Sequence, residues 1–105
     1  MTGDSVDFDE LIHSPVRLRI CAALSTAFAL EFTAIEEALS ISTSSLSKQL
    51  RILSEANYVK LEKQKQPFGR PRTWVALTLI GRKAFDNHVM ALRRLIDPVS
   101  DESLR

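Results

Sequence analysis

Two apolar-periodic stretches parted by only three residues, Ser40-Ile41-Ser42, and followed at once by two alternating runs, leave this chain few ways to fold. A turn that short carries a second helix back across a first. The second stretch runs from about residue 43 to 56. With Leu46 at zero and 100° per residue, Leu50 and Leu53 fall within about 40° of it and form a core stripe. Ser44, Ser47, Lys48 and Arg51 fall on the opposite side, with Ser45 and Gln49 at the boundary. No carboxylate precedes Glu55 on this stretch. Asn57 follows it, one of the few residues besides glycine that tolerates the left-handed position past a helix end.

The alternating runs come next. Val59 and Leu61 share one face of the first, opposite Lys60 and Glu62, and Val75 and Leu77 point inward from the second. Trp74 takes the outward parity and is expected to pack across the hairpin against Tyr58 or an aliphatic stem. The connection holds Pro67, Gly69 and Pro71, where glycine frees the backbone for positive φ and proline keeps Arg70 extended. A strand pair with this tip, over residues 58–77, reads as a hairpin standing beside the second helix.

The remaining elements follow from caps and periodicity. Phe8, Leu11 and Ile12 predict a short helix over residues 7–12. Ser14-Pro15 marks a fresh start, with serine as N-cap and proline at the first helical position. Val16, Ile20, Ala23, Leu24 and Ala27 continue it at helical spacing. The segment 28–32 breaks the pattern and fits a loop or a very short strand. Thr33 and Glu36 fit a capping box for the helix before the three-residue turn. Thr78 caps a last helix over residues 78–96, ended by Asp97-Pro98. One domain over residues 7–97 results, mainly α with a small β-hairpin, between a flexible N-terminus (1–6) and a flexible tail (98–105).

Composition enters through charge. The chain has 105 residues and a net charge of only +1. Residues 1–42 carry seven acids against Arg17 and Arg19, a net of −5, whereas residues 43–72 reach +5. Such a split steers a polyanion to one surface. Short hydroxyl side chains (Thr43, Ser44, Ser45, Ser47) let the start of the helix approach a phosphate closely. Lys48, Gln49 and Arg51 are long enough to reach base edges, where glutamine suits adenine and arginine suits guanine. Lys63 and Lys65 are expected on the phosphate backbone, and Arg70 and Arg72 in a narrow minor groove.

Other chemistries find little footing. His13 and His88 lie far apart in the sequence, outside any ligand-spaced cluster. No nucleophile elbow, phosphate-binding glycine loop or acid pair is present. No enzyme activity, metal or cofactor is therefore expected. Cys21 is the single cysteine, so no intrachain disulfide forms. Its helix bears an apolar stripe, so it reads as a packing residue, and a redox role would require an exposed, low-pKa thiolate. No apolar run approaches the roughly 20 residues that span a membrane, and the acidic first ten residues are unlike a signal peptide, so a cytoplasmic location is expected.

Three stretches, IHSPVRLRI from Ile12, LSKQLRILSEANYV from Leu46 and GRPRTWVALT from Gly69, together resemble the small stand-alone winged-helix transcriptional regulators close to the MarR and ArsR families. The resemblance runs from Phe8 to about Leu95. Serine and asparagine stand at 40 and 57 where these proteins usually have glycine, and Ile52 replaces a frequent basic residue. The resemblance implies a winged helix-turn-helix with an added C-terminal dimerisation helix, acting as a homodimer on a pseudo-palindromic double-stranded DNA site. Independently, Phe85, Val89, Leu92 and Ile96, joined by Leu95, give the last helix more apolar surface than a small core needs. They are expected to meet a partner copy together with Phe8, Leu11 and Ile12. The alternative is a winged-helix protein-interaction module, from which an acid-free cationic face would not be required.

Overall fold

The computed structural model describes residues 8–97. The expectations for residues 1–7 and 98–105 lie outside that range. The elements are α1 (Pro15–Leu24), β1 (Leu30–Glu31), α2 (Phe32–Leu39), α3 (Thr43–Glu55), β2 (Val59–Gln64), β3 (Arg72–Leu77) and α4 (Leu79–Ile96). The three strands form one antiparallel sheet in the order β1-β3-β2. This is a winged-helix fold: three helices, a hairpin wing, and a long closing helix.

Four local expectations are corrected. The first helix is a single turn instead, in which the Asp9 carboxylate accepts from the Ile12 amide and the Asp9 carbonyl from the His13 amide, both at 3.0 Å. The cause lies just downstream: Ser14, before proline, is held extended at φ −59°, ψ 132°, so no helix can run through it. Secondly, α1 stops at Leu24, because the hydroxyls of Ser25 and Thr26 donate to the carbonyls of Ala22 and Ala23 at 2.7 Å each.

Thirdly, α2 starts at Phe32 with Glu31 as its N-cap and without a side-chain cap bond. Pairing of Leu30 with Val75 and Glu31 with Trp74 extends the strand to the edge of the helix, placing Thr33 inside it. Finally, Leu61 pairs with Val75 yet is 43% exposed, because β2 runs out beyond the helices and buries only Val59.

The C-termini of α2 and α3 are closed alike. Ser40 (φ 52°) and Asn57 (φ 65°) are both left-handed. After α2, the Ile41 amide bonds to the Glu36 carbonyl, and after α3 the Tyr58 amide bonds to that of Leu53. These are the six-to-one bonds of a Schellman motif. Both positions thus take a backbone that glycine adopts most readily.

The core gathers Ile20, Cys21 and Leu24 of α1, Ile35 of α2, Leu46, Leu50 and Leu53 of α3, Val59, Val75 and Leu77 of the wing, and Phe85 of α4. Each large aliphatic side chain contributes roughly 1.5–3 kcal/mol on full burial. Thr78 joins wing to α4: its hydroxyl oxygen accepts from the Gly81 amide at 2.9 Å and its hydroxyl donates to the Asn57 carbonyl at 2.7 Å. Among the described residues no helix is long and apolar enough to cross a membrane.

Candidate nucleic-acid interface

Helix α3 turns Leu46, Leu50 and Leu53 fully inward, which fixes what it offers outward. Ser42 caps it, its hydroxyl oxygen accepting from the Ser45 amide at 3.2 Å. Thr43, Ser44, Ser47, Lys48 and Arg51 are exposed, and Ser45 is half-buried. Lys48 and Arg51 make no hydrogen bond or ion pair within the described residues. Both cations stand ready for an external anion.

Two of the candidates are occupied. The Thr43 hydroxyl donates to the Glu36 carboxylate of α2. That bond brings an acid to the start of a face whose own first carboxylate is Glu55 at the far end, a fact the linear charge pattern of α3 conceals. Gln49 is half-buried, and its Oε1 accepts from Arg17 Nη1 at 2.8 Å. Arg19 meanwhile donates to the Leu39 carbonyl at the end of α2, at 3.2 Å. The two arginines counted with the acidic first 42 residues therefore sit at the helix-turn-helix.

The wing separates its cations by parity. Lys63 stands opposite Thr73 and Arg72 opposite Gln64, so they project from opposite faces of the hairpin. Arg72 pairs with Glu31 of β1 at 3.5 Å and stays half-exposed, so this ion pair is weak. Lys65 and Arg70 are exposed at the tip. There the Gln66 amide donates to the Arg70 carbonyl at 2.8 Å, and Gly69 takes φ 80°. Phe68, which the sequence reading passed over, is 89% exposed on the same loop. Trp74 donates from its indole nitrogen to Gln64 Oε1 at 3.1 Å, whereas the Tyr58 hydroxyl donates to Asp9 Oδ2 at 2.6 Å.

The surface expected to meet a partner copy divides. Ile12 and Phe85 belong to the protomer's own core. Leu11 and Val89 pack half-buried against that core, and Leu92 is also half-buried. Phe8 stacks on its own chain's histidines, its ring centre 4.5 Å from that of His13 and 4.7 Å from that of His88. Leu95 and Ile96 remain 66% and 79% exposed, joined by Met90 at 48%. Of the stripe expected to meet a partner copy, only Leu95 and Ile96 are exposed, and Leu79 and Ile80 at the start of α4 are exposed as well.

The two histidines come together across the fold. His88 is fully buried; its Nδ1 accepts from the Asp9 amide at 3.0 Å and its Nε2 lies 3.2 Å from His13 Nδ1. Since Nδ1 accepts, Nε2 carries the proton and donates to His13. Burial first, then His13, lowers the His88 pKa below its ordinary 6.5, against the opposing influence of Asp9 and Glu10. The hydrogen bond to Asp9, with burial adding to it, pushes Tyr58 up to about 12. Cys21 is buried, and that burial pushes its thiol up to about 11, far from a reactive thiolate. No group of three or more metal-ligating side chains occurs among the described residues.

A helix-turn-helix with a basic outer face, flanked by a basic hairpin, defines a winged-helix DNA-binding protein of the transcription-regulating kind. Residues 16–96 match the winged helix DNA-binding domain family, and the chain belongs to it. An uncharacterized protein of Methanocaldococcus jannaschii is 30% identical over 86 residues, which is 82% of this chain and 92% of that one. Among solved structures, a transcriptional regulator homologue from Pyrococcus horikoshii is 27% identical, with a TM-score of 0.79 over 87% of this chain and 89% of its own. HlyU from Vibrio cholerae shares the fold at 22% identity, with a TM-score of 0.63 over 82% and 84% of the two chains.

Proposed function

We propose that this protein is a homodimeric, sequence-specific regulator that reads a pseudo-palindromic double-stranded DNA site in the cytoplasm. The observation that carries the reading is the outer face of α3, where Lys48 and Arg51 stand exposed without partners among the described residues. These two side chains and the serines address the major groove, Lys63 and Lys65 the backbone, and Arg70 and Arg72 the flanking minor groove. The exposed Leu95 and Ile96 of α4 supply the contact between copies, setting two reading helices about one turn of DNA apart.

Salt titration tests it. If several phosphates are neutralised, log affinity falls with log salt at roughly −0.9 per phosphate. A flat response, or no binding to a genomic DNA pool at low salt, overturns the reading in favour of a protein-interaction module.

A further inference from the structure

The guanidinium of Arg17 ties the start of α1 and the turn before it to the reading helix, 32 residues further on. Its Nε donates to the Leu11 carbonyl at 2.7 Å, and its Nη1 donates to Gln49 Oε1 at 2.8 Å. The first bond anchors the arginine to the turn before α1, and the second fixes a side chain on the reading helix. Gln49 is thereby held in one orientation before any DNA arrives, and the cost of ordering a side chain that otherwise loses up to about 1.5–2 kcal/mol of rotamer freedom is already met.

The orientation is chemically determined. Arginine has only donors, so the glutamine must turn its oxygen toward Arg17 and its NH2 group away. A glutamine that reads adenine uses both ends, the oxygen accepting from N6 and the nitrogen donating to N7. Here the oxygen is engaged, so what Gln49 has left to offer a base is a donor alone. Its complement is an acceptor, which guanine O6 and N7, thymine O4 and adenine N7 present and cytosine does not.

We propose that Arg17 is a specificity-positioning residue: it holds Gln49 as a pure hydrogen-bond donor, so that one base per half-site is selected for an acceptor edge and against cytosine. The inference rests on the DNA-reading function proposed above. Arg17 acts through Gln49 and makes no base contact of its own.

The test is selection of bound duplexes from a random pool with the parent, Arg17→Ala, Gln49→Ala, the double variant and Gln49→Glu. Arg17→Ala should relax preference roughly tenfold at one position per half-site, with the salt slope unchanged. Gln49→Ala should relax the same position, and adding Arg17→Ala to it should do nothing more. Gln49→Glu keeps the Arg17 contact but removes the donor, so that position should switch toward cytosine, whose N4 donates. This variant decides the matter even if Arg17→Ala does not fold.

A parent that enriches no sequence overturns the DNA reading itself. A selective parent whose preference survives Arg17→Ala and Gln49→Glu overturns this inference alone. So does Arg17→Ala weakening all sequences equally with the salt slope reduced by about one, which marks a direct phosphate contact.

Discussion

The carbonyl oxygen of Tyr58 lies 2.0 Å from where a Cβ on Gly81 would stand. Helix α4 therefore approaches the start of the wing more closely than any side chain permits. The obstacle is backbone, and it also accepts the Thr78 amide at 3.0 Å, so it cannot swing aside. Gly81→Ala should cost about 1–3 kcal/mol, the usual range for overpacking. Urea unfolding reads this directly, and a midpoint equal to the parent's would contradict the close approach.

Acid should weaken the fold through His88. Because its folded pKa lies below the ordinary 6.5, the unfolded chain binds more protons as pH falls. Its stability contribution is complete above that value and is lost progressively as pH drops through the lowered one. Protonation also deprives the Asp9 amide of its acceptor. Urea midpoints taken from about pH 8 to pH 5 should fall with acid, and His88→Leu should flatten the trend. An unchanged slope in that variant would assign the acid sensitivity elsewhere.

The carboxylate that Glu36 brings to Thr43 should oppose DNA. Removing one charge near a phosphate changes binding by about 1 kcal/mol at contact distances in water. Glu36→Gln should then tighten binding severalfold at low salt, on specific and random duplexes alike, in a fluorescence anisotropy titration. Weaker binding would mean that the hydrogen bond orients α3 more than its charge repels the ligand.

Arg51 and Arg72 should separate base reading from anchoring. Arg51→Ala should cost about 1–3 kcal/mol on the preferred site if its contact is bidentate, and little on random DNA. Arg72→Ala should weaken both equally. Identical profiles for the two variants would remove the division of labour between helix and wing.

Substitution along α4 should distinguish the outer surface from the core. Ile96→Asp, at an exposed site, should leave a folded monomer in sedimentation, whereas Phe85→Asp should unfold the protomer. A dimer persisting through Ile96→Asp combined with Leu95→Asp would place the contact elsewhere.

Much of this architecture was legible because its signals are local. The Leu46, Leu50 and Leu53 stripe, the caps at Ser14 and Thr78, and the inward alternation of Val75 and Leu77 each depend on neighbours within a few residues. The capping box at Thr33 failed because pairing of β1 to β3, a tertiary interaction, carried extended backbone to Glu31. The short first helix failed because its run was cut by Pro15. At the site, the exposure of Lys48 and Arg51 followed from helical angle alone. The engagement of Gln49 by Arg17 did not, since 32 residues separate them, although Gln49's place at the edge of the core stripe hinted at it. The histidine pair, Gly81 and Phe68 left no periodic trace to follow.

The Asp9–His88 and His13–His88 contacts close loops of 79 and 75 residues, with Tyr58–Asp9 closing another of 49. Helices and hairpin form from near neighbours, but these bonds need both extremities of the domain already in place. The first turn should thus be a clasp fastened after the rest has condensed. Its loss should quicken unfolding while leaving the refolding rate nearly untouched, and amides of residues 9–13 should exchange before those of α3.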